Sequence, residues 1–263
     1  GTTAGTFMLK DVRVSGDSDP GEFTMVGSKM FFTADDGVIG RQLWVTDGTT
    51  NGTIALPANT SGTSNVSSLT AVGNTLYYSA DDGVNGYELW KSDGTIGGTT
   101  MVKDIRTGAL NSSPQQLTVN GSSLYFTAVN DTQGRELWKS NGTSNGTTMV
   151  ADINTVGNSN PEQLVVDGSL LYFVANDGVS GREPFVSDGT ANGTGSIDIN
   201  RSGGSRPDRL VRHNNILYFT ANDGFNGSEM WAVNGSWLAS TAPNVTRSEN
   251  APLPPSGVSR PVP

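Results

Sequence analysis

Two carboxylates, Glu162 and Asp208, stand at equivalent points of a repeating chain, each just before an apolar run. A pair of this kind can do glycosidic acid/base work, one member donating a proton and the other acting as base or nucleophile. The same points in the other repeats hold Glu22, Ser67-Ser68 and Gln115-Gln116, and Gln163 and Arg209 follow the two carboxylates. If the run after them lines a central channel, these side chains ring one of its mouths. Solvation of strand ends accounts for the ring equally well. Glu22, Gln116, Glu162, Asp208 and Arg209 are therefore candidate ligand-binding residues, and no residue is assigned a catalytic role. The lone histidine, His213, falls in Arg212-His213-Asn214-Asn215, where other units have Val-Asn-Gly or Val-Asp-Gly. That context is a hairpin turn, and a Ser/His/Asp triad would have to be assembled around it.

Acidic pairs also recur, as Asp35-Asp36-Gly37, Asp81-Asp82-Gly83, Asn130-Asp131, Asn176-Asp177-Gly178 and Asn222-Asp223-Gly224. Adjacent oxygens of this sort can ligate calcium, but such a site needs six to eight ligands and no bidentate Glu stands at loop spacing. Asx turns that cap the loops are the better reading, so no metal and no cofactor are expected. The absence of cysteine excludes disulfides, thiol catalysis and zinc–thiolate sites.

Asparagine in Asn-x-Ser/Thr context is dense. It occurs at Asn51, Asn59, Asn65, Asn111, Asn120, Asn130, Asn141, Asn145, Asn192, Asn200, Asn226, Asn234 and Asn244, which is 13 of 23 asparagines. Chance alone predicts about five. All sit in turns or loops, where a glycan is tolerated. A Ser/Thr/Asn/Gly-rich repeat that never meets a glycosylation machinery would look the same.

These residues are carried by a block that returns five times, from Gln42-Leu43-Trp44 and Glu88-Leu89-Trp90 through Glu136-Leu137-Trp138 and Glu183-Pro184-Phe185 to Glu229-Met230-Trp231. The aromatic falls at 44, 90, 138, 185 and 231, in steps of 46, 48, 47 and 46 residues. A fixed period of that length means an array of equivalent supersecondary units. In the third unit, Gln116–Val119 and Ser123–Ala128 flank the hairpin pair Asn120-Gly121, the strand Arg135–Ser140 follows, and Asn141-Gly142 opens a hairpin into Thr148–Ile153. Four antiparallel strands in under fifty residues, repeated radially, describe a β-propeller blade. The expected fold is all-β: a five-bladed propeller over residues 1–240, with repeats near 7–53, 54–99, 100–147, 148–194 and 195–240. The chain starts with a fourth strand and stops after a third, so residues 7–12 are expected to pair with 229–233 and close the last blade. In the alternative, that terminal strand serves a neighbouring molecule.

The totals narrow the partners. A net charge of −9 with sixteen Lys+Arg argues against nucleic acid, which needs a clustered basic face. Apolar runs of a few residues are too short for a membrane span. Residues 241–263 hold six prolines, five of them in the last thirteen positions, a composition that favours an extended tail without a core of its own. Gly1 to Thr6 reads as the cut end of the same turn block, as in a mature or excised chain.

The pattern Glu-Leu-Trp-x-Ser-Asp-Gly-Thr-x-x-Gly-Thr resembles the ELWxxDGT repeats of secreted and surface-associated proteins, and the strand order is similar to that of TolB-type propellers. The resemblance covers residues 1–240. It implies repeat architecture and an extracellular or cell-surface location, and it carries no catalytic residue across. The fifth unit departs from it at Asn234-Gly235-Ser236-Trp237, which lacks the second Gly-Thr. The functional expectation is a non-catalytic structural glycoprotein, a subunit of a fibre, sheath or surface layer that self-assembles through its tail or terminal strand and carries glycans. The alternative is a carbohydrate-binding or adhesion module, and behind it a glycoside hydrolase.

Overall fold

A computed structural model describes residues 5–234. Nineteen strands form five antiparallel sheets in strict chain order. The first blade contains β1 (Gly21–Val26), β2 (Lys29–Asp35), β3 (Arg41–Thr46) and β4 (Ile54–Leu56). The second contains β5 (Ser67–Val72), β6 (Thr75–Asp81), β7 (Tyr87–Ser92) and β8 (Thr100–Lys103). The third contains β9 (Gln115–Asn120), β10 (Ser123–Asn130), β11 (Gly134–Ser140) and β12 (Thr148–Ala151). The fourth contains β13 (Glu162–Asp167), β14 (Leu170–Asn176), β15 (Arg182–Ser187) and β16 (Thr194–Ser196). The fifth has three strands among the described residues, β17 (Asp208–His213), β18 (Ile216–Asn222) and β19 (Ser228–Asn234). First strands lie side by side from blade to blade, β1 by β5, β5 by β9, β9 by β13 and β13 by β17, which places them innermost around the axis. This is a β-propeller.

The core lies between blades. Alternate residues of a strand point to opposite faces, and both faces of a middle blade are covered, so the second strands are mostly apolar on both faces. Phe31, Leu43 and Val45 of the first blade pack on Leu76, Tyr78, Ala80 and Trp90 of the second. The same set returns as Tyr77 and Leu89 against Leu124, Phe126 and Trp138, and as Tyr125 and Leu137 against Leu171, Phe173 and Phe185. The repeated aromatic thus fills the wedge between blades, where its large area is worth most.

The remaining letters of the block build the turn between third and fourth strands. The Asp93 carboxylate accepts the N–H and hydroxyl of Thr95, and the Thr95 hydroxyl accepts the N–H of Gly98. The hydroxyls of Ser92 and Thr99 bond to each other at 2.8 Å. Asn141 and Asp188 organise the same network in the next two blades. The first glycine of the turn has positive φ and receives the preceding blade: a Cβ on Gly142 would lie 2.1 Å from the Tyr77 hydroxyl, and one on Gly189 2.2 Å from that of Tyr125.

The expected closure does not form. Residues 7–12 are not a strand and do not pair with β19. Instead this segment lies on the first blade, where Lys10 Nζ donates to the Thr53 carbonyl at 2.7 Å and sits 6.0 Å from the Trp44 ring. Lys103 of β8 meets Thr147 and Trp138 of the third blade in the same way. The segment therefore occupies a fourth-strand position against the first blade, without a ladder partner, and β17 does not pack along β1 as the other neighbouring first strands pack along each other. The Pro-rich tail, residues 241–263, lies outside the described residues, as does the candidate outer strand near Trp237.

Gly48 and Gly142 have φ of 91° and 85°, but a Cβ on Gly48 would meet no described atom within 4 Å, while Gly142 is capped by Tyr77. Gly48→Ala should therefore lose only the left-handed backbone preference, about 1–2 kcal/mol. Gly142→Ala should lose about 1–3 kcal/mol more by forcing the blades apart. Urea denaturation of the two variants measures the difference, and equal losses would refute the capping role of Tyr77.

Candidate functional site

Each innermost strand carries a bulge at its second residue. The ladder with the second strand skips between Gly21 and Thr24, Ser67 and Thr70, Glu162 and Val165, and Asp208 and Val211, and β9 shows the matching shift opposite Tyr125 and Thr127. The residue within each bulge is left-handed: Glu22 at φ 50°, Ser68 at 62°, Gln116 at 57°, Gln163 at 55° and Arg209 at 60°. None is glycine, so each holds strain of about 1–3 kcal/mol. Bulges re-aim side chains next to functional sites. Here they separate a polar residue from the apolar one that follows, such as Leu69, Leu117, Leu164 or Leu210, which joins the inter-blade core.

Two of the polar side chains, Glu22 and Gln163, bridge adjacent blades. Gln163 Oε1 accepts the N–H of Leu210 at 3.1 Å while its Nε2 donates to Asp208 at 2.8 Å. Glu22 accepts the N–H of Leu69 at 3.4 Å. Glu22, Gln116 and Arg209 are exposed, and Ser68 and Gln163 half-buried. The ring can offer amide, hydroxyl, carboxylate and guanidinium groups to an extended polar ligand at the mouth of the axis.

The carboxylate pair is not assembled for acid/base work. Glu162 is held in an ion pair with Arg182, and Asp208 accepts from Gln163 and lies 3.8 Å from Arg209 Nε. His213 is exposed and meets only the Asn214 amide, beside two turn residues of positive φ. In the loops after the second strands, Asp36 accepts the N–H groups of Val38 and Ile39, Asp82 those of Val84 and Asn85, and Asp223 those of Phe225 and Asn226. These carboxylates cap turns, and among the described residues no group of three or more His, Cys, Asp or Glu could hold a metal ion.

The sequons are unequal. Asn51, Asn65, Asn111, Asn141, Asn145, Asn192 and Asn226 are exposed, and Asn120, Asn130 and Asn200 are half-buried. Asn59 does not fit the expectation: it is 8 % exposed and its Oδ1 accepts from Ser61, leaving no room for a glycan. The side chain of Asn234 and all of Asn244 lie outside the described residues.

A set that the sequence pattern did not single out lies on the third strands. Glu88 is fully buried, and its carboxylate accepts the N–H groups of Ile105 and Ser112 and the Ser112 hydroxyl. Glu136 does the same with Ile153 and Ser159, and Glu183 with Ile199 and Ser205. In the first blade Gln42 receives Ser64 instead. Each clamp ties a third strand to the loop that leads into the next blade. Burial pushes Glu88 and Glu136 up to about 7, against the Ser hydroxyls and backbone amides that favour the charged form, and it also raises Glu183. The detectable signal was a charged letter inside a buried strand, with a serine recurring 22 to 24 residues later, as in Gln42/Ser64, Glu88/Ser112, Glu136/Ser159 and Glu183/Ser205.

No family model matches the chain, and no curated protein sequence does. Solved structures match it by shape. A prolyl endopeptidase structure, from work on inter-domain dynamics in catalysis and specificity, superimposes with a TM-score of 0.54 at 13 % identity, over 84 % of this chain and 35 % of that one. Prolyl oligopeptidase B from Galerina marginata, bound to a 35mer hydrolysis and macrocyclization substrate, gives 0.54 at 11 % identity over 84 % and 36 %. Puromycin hydrolase reaches 0.47 at 15 % identity, over 76 % and 33 %. The chain spans about a third of the length of the structures it matches. At these identities the likeness shows the fold. The expectation of a non-catalytic structural glycoprotein of a fibre or sheath is not upheld, since the structures that match come from peptidases.

The buried clamps set a pH dependence. Because Glu88 and Glu136 hold protons more tightly folded than unfolded, their contribution to stability is full below about pH 4.5 and is lost as pH rises through about 7. Asp47 and Asp93 act in the opposite sense at lower pH, where the Thr49 and Thr95 hydroxyls and amides hold them below the ordinary value of 3.8. The urea midpoint should accordingly fall between about pH 5 and pH 8, and the double variant Glu88→Gln/Glu136→Gln should flatten that slope. An unchanged slope would show that these carboxylates do not titrate in this range.

Proposed function

We propose that this chain is the propeller part of a peptide-processing assembly, with its axial polar ring receiving an extended peptide and the hydrolytic chemistry supplied by another unit. The observation that carries the reading is the superposition of 84 % of the chain on about a third of two prolyl peptidases. The ring supports it. Five strained, non-glycine residues hold polar groups at corresponding points around one axis, a placement that blade packing alone does not require. An extended peptide presents alternating N–H and C=O groups that Gln116 and Gln163 can meet as both donors and acceptors. The repeat pattern adds an extracellular setting to this reading.

The test is fluorescence anisotropy of the full chain with a fluorescein-labelled decapeptide carrying a central proline. Saturable binding is expected. The double variant Gln116→Ala/Arg209→Ala, at ring positions whose side chains make no inter-blade bond among the described contacts, should weaken it roughly tenfold while keeping the wild-type melting temperature within a few degrees. A flat titration into the millimolar range would dismiss the reading.

A further inference from the structure

Every interior interface repeats the same contacts, and the two outermost blades each present one unmatched half of them. The serine before each first strand puts the blades in common sequence register. The carbonyls of Ser18, Ser64, Ser112, Ser159 and Ser205 each accept a backbone N–H from the end of the following second strand, that of Asp35, Asp81, Val129, Asn176 and Asn222 respectively. The side chains of the last four also bond Gln42, Glu88, Glu136 and Glu183 of the preceding blade. Ser18 has no such partner among the described residues. Conversely, Glu229, the fifth member of the Gln/Glu series, is exposed.

The turn glycines show the same thing. Gly94, Gly142 and Gly189 are buried under Phe31, Tyr77 and Tyr125 of the preceding blade, whereas Gly48 is exposed with nothing described near it. The matching aromatic of the last blade, Tyr218, covers no described turn. Apolar residues repeat the pattern. Phe23 and Met25 correspond to Leu69 and Ala71 at the first interface but are 60 % and 54 % exposed. Met230 corresponds to Leu43, Leu89 and Leu137, all fully buried, but is 77 % exposed, and Val211 is 57 % exposed. A groove lined by Met8, Lys10, Val12 and Ser18, and also by the carboxylates of Asp11, Asp17 and Asp19, lies in the segment that precedes the first blade.

We propose that these two faces dock on each other between copies of this chain, head to tail, so that the last blade of one copy covers the first blade of the next. The partner's Glu229 then meets Ser18 and the N–H of Val12, the partner's Tyr218 caps Gly48, and the partner's Met230 covers Phe23. The edge of β19, which has no ladder partner among the described residues, adds residues 7–10 of the next copy, which already rest on the first blade where a fourth strand belongs. A second copy is the occupant because each open face is complementary to the other and continues an interface the chain forms four times internally. The contact is heterologous, so it propagates unless the rotation closes it.

The chain lacks cysteine, so thiols can be placed at will. Ser18→Cys/Glu229→Cys in the full chain, treated with a short bis-maleimide, should give covalent dimers and higher species whose yield rises with protein concentration. Light scattering of the uncrosslinked wild type should show the same concentration dependence, and Met230→Lys should raise the dissociation constant at least roughly tenfold while circular dichroism is unchanged. A cross-link confined to the monomer would mean that the chain closes its own seam. A monomer at every concentration with no cross-link would leave the faces without mutual affinity. Either result overturns the proposal.

Discussion

The constraint on which everything else rests is that a blade has two apolar faces and cannot cover either one itself. A strand whose residues alternate Leu76, Tyr78 and Ala80 on one side with Tyr77 and Ser79 on the other is insoluble as an isolated sheet. Stacking the next unit buries one face and exposes another, so stability in such an array resides in nearest-neighbour interfaces more than in the unit. The turns, the loop caps and the buried Glu88, Glu136 and Glu183 are all devices that set the spacing and tilt at which neighbouring faces meet.

This explains why the repeated motif speaks so clearly of fold and so little of activity. Its aromatic is the wedge, its Ser and final Thr bond to each other, its Asp or Asn closes the turn, and its glycines admit a neighbour's side chain or its own carboxylate. A Cβ on the second glycine of the turn would sit about 2 Å from the Asp or Asn side chain that closes it, 2.1 Å at Gly98 and 1.9 Å at Gly146, which fixes the residue type. Once each letter has a mechanical duty, none is left over for chemistry.

Strand order, hairpin positions and the packing role of Trp90 and Trp138 were legible because period-two alternation and Asn-Gly turns act locally. Three features were not. The pairing of 7–12 with β19 depends on how far a five-unit arc turns about its axis, a sum of small rotations that no single residue encodes. The clamp role of Glu88 joins residues 24 apart, and its strand reads as ordinary until the loop carrying Ser112 is placed over it. The polar ring was located at Glu22, Gln116, Glu162, Asp208 and Arg209, but solvation of strand ends gives no reason for left-handed backbone. The bulges reassign the emphasis from Glu162 and Asp208 to their neighbours Gln163 and Arg209.

Left-handed backbone on non-glycine residues gathers where the chain enters the inner strands, at Asp19, Asn65, Ser113, Asn160 and Arg206 as well as within the bulges. At the turns between third and fourth strands, positive φ falls on glycine, so the geometry is relaxed and the sequence is shaped by it. At the axis, positive φ falls on Glu22, Ser68, Gln116, Gln163 and Arg209, residues that gain nothing locally from that conformation. Glycine there would make the same bulge with less strain. Two of them are used to tie adjacent blades, through Leu69 and Leu210. Gln116 and Arg209 have no comparable inter-blade bond from their side chains among the described contacts, and both face solvent at the axis. A repeat that holds exposed polar groups in a costly conformation at one end of its inner strands, and relaxed glycines at its outer turns, gives the proposed ligand site its physical basis.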